Sequence, residues 1–165
     1  SSIFKQKLFS LIKGEQIRFW GPTGSFIIPE SYEGPLVFLS GGMGITPFHS
    51  ILSTFFEKKI TRHMTLLASF ATYEEMLFSE RLHSFRSVNP QLQIVYTLTS
   101  NEEQNKWEGE RGRITQKMLA KYIPFPQESL YYVSGPIPFV KSMIRILQSS
   151  GIEYEKIKED NFPGY

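Results

Sequence analysis

Short apolar runs alternate with amphipathic stretches along the chain from residue 36 onward. The runs carry β-branched or aromatic residues, which is typical of strands buried on both faces of a sheet. A weaker fifth run follows four clear ones. In chain order the five runs are Leu36–Leu39, Met64–Ser69, Leu92–Leu98, Leu130–Val133 and Glu155–Lys158.

Amphipathic helices are predicted between these strands. The first has one apolar stripe at helical spacing, formed by Phe48, Ile51, Leu52, Phe55 and Phe56. Three further helical patterns lie within residues 76–85, 114–122 and 139–147. Because strands and helices alternate, we predict a doubly wound α/β fold, with a five-stranded parallel sheet in the order 3-2-1-4-5.

The first 33 residues follow a different pattern. Ser2–Ile12 has the spacing of a short amphipathic helix, Gln16–Trp20 is strand-like, and Gly21–Gly24 forms a predicted turn. These elements are too few to bury a core of their own. We therefore divide the chain into residues 1–33, the end of another and incomplete domain, and residues 34–165, the main domain.

The composition of the chain argues against several classes of function. The 165 residues suit about one domain, and a net charge of +2 argues against a nucleic-acid binder with a dense basic face. With no cysteine, the chain has no disulfide, thiolate metal site or cysteine nucleophile, and its three histidines lack zinc-site spacing, so we expect no metal. No secretory leader and no membrane-spanning run is visible, which favours a cytoplasmic location.

A glycine-rich turn, Ser40–Pro47, directly follows the first predicted strand. Glycines let the backbone approach a ligand closely, and a helix beginning near Pro47 would direct free N–H groups toward an anion such as a pyrophosphate. We expect Gly44 to leave this space open, so that Gly44→Val would weaken nucleotide binding without unfolding the domain. The alternative is a tight turn without a ligand, since the pattern is not the GxGxxG fingerprint.

A second glycine turn, Ser134–Pro138, follows the fourth predicted strand. In the order 3-2-1-4-5 the first and fourth strands are neighbours, and ligands of such folds bind in the crevice beyond their carboxyl ends. Both glycine turns would open onto that crevice. Their convergence favours nucleotide binding over two unrelated turns.

Five segments of the chain match known motifs in order. They are Gly14–Phe26, Gly41–Pro47, Trp107–Ile114, Tyr131–Pro136 and Glu159–Phe162. Together they resemble the ferredoxin–NADP reductase superfamily, specifically its C-terminal pyridine-nucleotide domain preceded by the end of its antiparallel flavin-binding barrel. The second segment, GGMGITP, is very similar to the family's G-G-x-G-I-T-P.

The resemblance implies roles for individual residues. It places catalytic positions, beside the nicotinamide and the flavin, at Thr46, Ser134 and Phe162. It also implies a cofactor-binding set of Gly41, Gly42, Gly44, Ile45, Thr46, Pro47, Ser69, Gly135, Pro136, Ser1, Ser2 and Tyr165. Structural alternatives remain open: Thr46 as a helix cap, Phe162 as a core residue and Tyr165 as a frayed end.

The chain departs from the family in two places. Ser134 stands where the family often has cysteine. We expect this replacement of a thiol by a hydroxyl to slow hydride transfer or to alter the reductase role. The family's R-x-Y-S/T flavin motif is missing, so we expect a fragment of a longer reductase that does not hold FAD alone. Glutamates in the loops after the second and third strands, at positions 74, 75, 102 and 103, favour NADH over NADPH because they would repel a 2′-phosphate.

Three functions are compatible with these features. The first is a flavin-dependent NAD(P)H oxidoreductase that passes hydride from nicotinamide to FAD and electrons on to an iron–sulfur or haem partner protein. The second is a non-catalytic regulatory protein that binds a pyridine nucleotide. The third is the soluble part of a membrane ferric reductase or NADPH-oxidase-type protein, with the membrane reached only through an upstream region.

Overall fold

A single parallel sheet forms the centre of the protein. The computed structural model describes residues 2–21, 24–100 and 107–162. The strands are β1 (Leu36–Gly41), β2 (Met64–Phe70), β3 (Leu92–Leu98), β4 (Glu110–Arg111), β5 (Leu130–Pro136) and β6 (Ile157–Phe162). They form a six-stranded sheet in the order β4-β3-β2-β1-β5-β6, and every pair is parallel.

Helices flank the sheet. They are α1 (Ile3–Phe9), α2 (Ile45–Glu57), α3 (Ser79–Ser84), α4 (Gln116–Tyr122) and α5 (Ile137–Ser149), with short 3-10 helices at Gly42–Gly44, Phe85–Ser87 and Tyr154–Lys156. Within the described ranges, no helix has the length and apolar content needed to cross a bilayer.

The predicted fold class and strand order are confirmed, with a correction at each edge of the sheet. A sixth strand, the two-residue β4, pairs with the end of β3. Such a short strand has no periodicity of its own to detect. The last strand runs over Ile157–Phe162 rather than Glu155–Lys158, because a 3-10 turn occupies Tyr154–Lys156.

Two core layers cover the faces of the sheet. Leu36 and Phe38 of β1 pack on one face with Phe48 and Leu52 of α2. The alternate residues of β1 pack on the other face with α4 and α5. Since successive side chains of a strand point to opposite faces, the uninterrupted apolar run of β1 serves both layers.

The N-terminal segment differs from its prediction at Gln16–Trp20, which is not a strand. Phe19 and Trp20 are 81% and 82% exposed, and α1 buries none of its residues. A strand needs a neighbour for its backbone N–H and C=O groups, and no described strand lies beside this segment. The strand prediction is therefore wrong for the chain as it stands.

The later part of the same segment is anchored to the sheet. The ring of Phe26 packs edge-on against Tyr132 of β5, with centroids 5.2 Å apart. Burial raises the pKa of Tyr132 to about 12, so its hydroxyl stays protonated and donates to the Ile27 carbonyl at 2.8 Å. The Tyr32 hydroxyl accepts the Leu130 N–H at 3.1 Å and lies 2.7 Å from the Glu128 carbonyl oxygen. These contacts tie residues 26–32 to β5.

We predict that Tyr32→Phe lowers the free energy of unfolding by about 1 kcal/mol, because it removes the contacts of the Tyr32 hydroxyl with the Leu130 N–H and the Glu128 carbonyl. Urea denaturation measures the loss. Tyr154→Phe is the matched control, since Tyr154 is half exposed and its hydroxyl makes only a 3.3 Å contact with Glu159. Equal effects of the two substitutions would contradict the anchoring role of Tyr32.

Candidate functional site

The two glycine turns meet at the carboxyl edge of the sheet. β1 and β5 are neighbours, and Ser40 pairs in register with Ser134. A helix follows each turn: α2 follows β1 after the 3-10 helix Gly42–Gly44, and α5 follows β5 directly. This is the crevice that the order of the strands predicted.

The first turn leaves space beside its backbone at Gly42. This residue has φ +53°, a conformation that favours glycine, and a Cβ built on it would meet no other atom within 4 Å. α2 begins at Ile45, two residues before the Pro47 of the prediction, and no side chain caps it. The backbone at Gly42 is therefore accessible to a ligand.

Gly44 plays a different part from the one predicted. Its φ is −60° and it is buried, and a Cβ there would overlap the Ser134 carbonyl and lie 2.7 Å from Gly135 Cα. The turn after β1 thus crosses directly over the end of β5. The expectation that Gly44→Val would spare the fold is wrong, because Gly44 holds two backbones in contact.

The other residues assigned to this turn are arranged around it. Thr46 donates its hydroxyl to the Met43 carbonyl at 3.0 Å, which closes the turn and leaves the oxygen free to accept. Ile45 is fully buried in the core, so its side chain is not open to a ligand. Ser69 of β2 pairs in register with Gly41 and is half-buried.

The second turn carries a buried hydroxyl. Ser134 has no exposed surface, and its Oγ has no hydrogen-bond partner in the described part of the chain. On β6, Asp160 pairs in register with Ser134, and Phe162 pairs with Pro136. Phe162 is half-buried, so the structure places an aromatic ring at the same edge of the sheet as both turns.

Of the three terminal residues assigned to the cofactor, Ser2 lies among the described residues and caps a helix. Ser2 is the exposed N-cap of α1, where its Oγ accepts the Lys5 N–H at 3.2 Å. Ser1 and Tyr165 lie outside the described residues.

A carboxylate closes the loop after β2. Glu75 accepts the Ala71 N–H at 3.3 Å. Nearby, the Tyr73 ring packs on Trp107 with centroids 6.0 Å apart, and Arg111 donates to the Trp107 carbonyl at 2.7 Å. The carboxyl ends of β2 and β3 therefore carry an acidic and aromatic loop, whereas positions 102 and 103 lie outside the described residues.

A small cavity opens at the opposite, amino edge of the sheet. It measures about 90 Å³ and is lined by His63, Gln91, Gln93 and the first residues of β1 and β2. It shares no residue with the glycine turns. Among the residues that the structure covers, no cluster of three or more His, Asp or Glu could hold a metal ion.

A family model described as "Oxidoreductase NAD-binding domain" matches residues 38–145, which include both glycine turns. The chain belongs to this family. The match, together with the fold, confirms the resemblance to the C-terminal domain of the ferredoxin–NADP reductase superfamily.

Curated relatives of this NAD-binding domain include components of reductases. A Na(+)-translocating NADH-quinone reductase component of Pseudomonas paraeruginosa is 27% identical over 161 residues, covering 95% of this chain and 39% of the relative. The reductase component of a glycine betaine monooxygenase of Chromohalobacter salexigens is 27% identical over 150 residues, covering 90% and 41%. The chain thus spans about two fifths of the length of these relatives.

Solved structures share the fold of this NAD-binding domain. The cytochrome b5 reductase domain of Ulva prolifera nitrate reductase superposes with a TM-score of 0.84 at 20% identity, covering 97% of this chain and 64% of that one. A ferredoxin NADP+ reductase from Neisseria gonorrhoeae, with bound FAD and NADP, gives 0.68 at 22% identity, covering 84% and 61%.

Two polar residues at the site were not singled out from the sequence. The sequence pattern predicts Ser40 at the start of the glycine turn, yet it lies inside β1, fully buried and without a hydrogen-bond partner among the described residues. The sequence places Asp160 only within the closing motif, because its register with Ser134 depends on strand pairing. A polar residue at the carboxyl end of an apolar run was the available signal for Ser40.

We predict that Gly44→Ala lowers the free energy of unfolding by about 3 kcal/mol or more, because its Cβ would overlap backbone rather than a flexible side chain. Gly42→Ala is the control variant, and urea denaturation measures the stability of both proteins. The new Cβ of Gly42→Ala faces open space, so this substitution carries only the cost of a left-handed backbone, about 1 kcal/mol. A Gly44→Ala protein as stable as Gly42→Ala would contradict the packing role.

Proposed function

We propose that this chain is the nucleotide-binding domain of a flavin-dependent NAD(P)H oxidoreductase. The observation that carries the proposal is that the open, positive-φ backbone of Gly42 and the buried, unpartnered hydroxyl of Ser134 lie at the carboxyl ends of two neighbouring strands. The Gly42 backbone supplies a surface for a phosphate group, and the Ser134 hydroxyl supplies a polar contact for a neighbouring ring. An NAD(P)H molecule contains both a pyrophosphate and a nicotinamide ring.

Each part of the nucleotide has candidate contacts. Gly41, Gly42 and the N–H groups at the start of α2 would hold the pyrophosphate, with Pro47 and Ser69 at the border of the crevice. Thr46, Ser134, Gly135 and Pro136 would surround the nicotinamide, and Phe162 would lie against the flavin. The bound nicotinamide supplies hydride, which a flavin accepts and passes on as single electrons. The residues of this chain bind and orient the ring and exclude water from it.

The division of the chain belongs to the same proposal. Residues 1–33 would be the end of a flavin-binding domain and residues 34–165 the nucleotide domain, with residues 26–32 joining the two. The names of the relatives describe them as components of a quinone reductase and of a monooxygenase. We infer that the electrons pass to an iron–sulfur or haem partner protein, and that the enzyme works in the cytoplasm.

The charge at the carboxyl ends of β2 and β3 supports a preference for NADH. Glu75 is held at the end of β2 by the Ala71 amide, where a carboxylate can accept from ribose hydroxyls. The same carboxylate would repel the 2′-phosphate of NADPH. Arg111 of β4 is already bonded to the Trp107 carbonyl.

We predict that the chain binds NADH several-fold more tightly than NADPH, since repulsion between a solvent-exposed carboxylate and the 2′-phosphate costs about 1 kcal/mol. Calorimetric titration at one fixed salt concentration measures both affinities. Glu75→Gln keeps an acceptor for the Ala71 amide but removes the negative charge. It should therefore bring the affinity for NADPH closer to the affinity for NADH. Glu57→Gln, at the far end of α2, should leave the ratio of the two affinities unchanged. Tighter binding of NADPH by the unmodified chain would overturn the preference.

We also predict that the 165-residue chain purifies colourless and does not oxidise NADH with ferricyanide, although it binds the nucleotide. The reason is that Gln16–Trp20 is exposed and unpaired, so the described residues offer few contacts to a flavin. Absorbance between 350 and 500 nm, about the flavin range, measures whether the protein carries flavin before and after incubation with excess FAD. A yellow protein that retains FAD through gel filtration would show that this chain holds the flavin.

A further inference from the structure

Two unpartnered hydroxyls lie side by side at the crevice. Ser40 and Ser134 have no exposed surface, and neither Oγ makes a hydrogen bond with any residue that the structure describes. The two residues pair in register on adjacent parallel strands, so their side chains point to the same face of the sheet, about 4.8 Å apart. We call them the serine pair.

An unpartnered buried hydroxyl destabilises a folded protein and is uncommon. In the described part of the chain, the other side-chain atoms of this kind are Arg62 Nε and Tyr96 Oη. Of these four atoms, only the two of the serine pair are paired in register on neighbouring strands. The serine pair also lies directly behind the turn that Gly44 and Gly135 close. Its position points to a bound polar group at the floor of the crevice.

The neighbours of the serine pair indicate the charge of that group. Along the same row of the sheet, Ser40 is flanked by the buried Ala68 on β2, and Ser134 is flanked by Asp160 on β6. A carboxylate beside the pair disfavours a second anion, and neither flanking residue supplies a cation for a phosphate. The chemistry therefore favours a neutral group that both donates and accepts hydrogen bonds.

We propose that the serine pair binds the carboxamide of the nicotinamide ring, an inference that rests on the proposed function. A primary amide has an acceptor oxygen and two N–H donors in one plane, and a serine hydroxyl both donates and accepts. One serine donates to the amide oxygen while the other accepts from the amide nitrogen. Ser40 is thereby a binding residue that orients the ring, whereas the pyrophosphate contacts do not involve it.

Ser40→Ala tests this assignment through two ligands and one stability measurement. NAD+ carries the carboxamide, whereas ADP-ribose has the same adenosine and pyrophosphate but no nicotinamide. We expect Ser40→Ala to weaken NAD+ binding by about three- to tenfold and to leave ADP-ribose binding unchanged. In the absence of ligand, its Tm should equal or exceed that of the unmodified chain, because the substitution removes a hydroxyl without a partner.

Ser129→Ala is the matched control. Ser129 is also a buried serine next to β5, but its hydroxyl donates to the Phe125 carbonyl at 2.6 Å, at the amino edge of the sheet. This substitution should lower Tm and leave the ratio of NAD+ to ADP-ribose affinity unchanged. Ser134→Ala should weaken NAD+ binding as Ser40→Ala does. The double variant should lose less binding free energy for NAD+ than the sum of the two single losses, since both serines bind the same carboxamide.

The alternatives give distinct results. If Ser40→Ala leaves the ratio of NAD+ to ADP-ribose affinity unchanged, whether it weakens both ligands equally or neither, the assignment is wrong. The serine pair then binds an internal water instead. If the unmodified chain binds neither ligand, the proposed function itself fails. Binding of ADP-ribose without an effect of Ser40 on NAD+ rejects the carboxamide site alone.

Discussion

The close contact between the turn after β1 and the end of β5 is the constraint on which the site depends. Gly44 lies against the Ser134 carbonyl with no room for a side chain, and Gly135 lies close to the Gly41 carbonyl. The contact holds together the two turns from which α2 and α5 begin. Gly42, two residues before Gly44 and facing open space, remains available to a ligand.

Stability and binding place opposite demands on the residues behind these turns. β1 and β5 are buried on both faces and consist mainly of apolar residues that fill the two core layers. At their carboxyl ends, however, two serines replace apolar residues and have no partner. A buried hydroxyl without a hydrogen bond destabilises the empty protein, and such exceptions are expected where a ligand binds.

The N-terminal segment shows how far the sheet domain extends. Phe26 and Tyr32 pack on the core that α2 forms with the sheet, whereas residues 3–20 expose most of their apolar side chains. Several exposed apolar side chains in one segment are typical of an interface. In relatives more than twice as long as this chain, further polypeptide is present. The exposure of these side chains supports the proposal that residues 1–33 are the end of a flavin-binding domain.

The sequence by itself determined the alternation of strands and helices, the order of five strands and the position of both glycine turns. These features follow from local patterns: apolar runs, helical spacing and glycine directly after a strand. It did not determine β4 or the state of Gln16–Trp20, because a strand forms only with a neighbour. Nor did it separate the roles of Gly42 and Gly44, since one faces open space and the other a backbone that is 90 residues away in sequence. The unpartnered state of Ser40 likewise arises only when β1, β5 and α2 pack together. Tertiary structure decided these points because burial and contact between distant segments are properties of the folded chain.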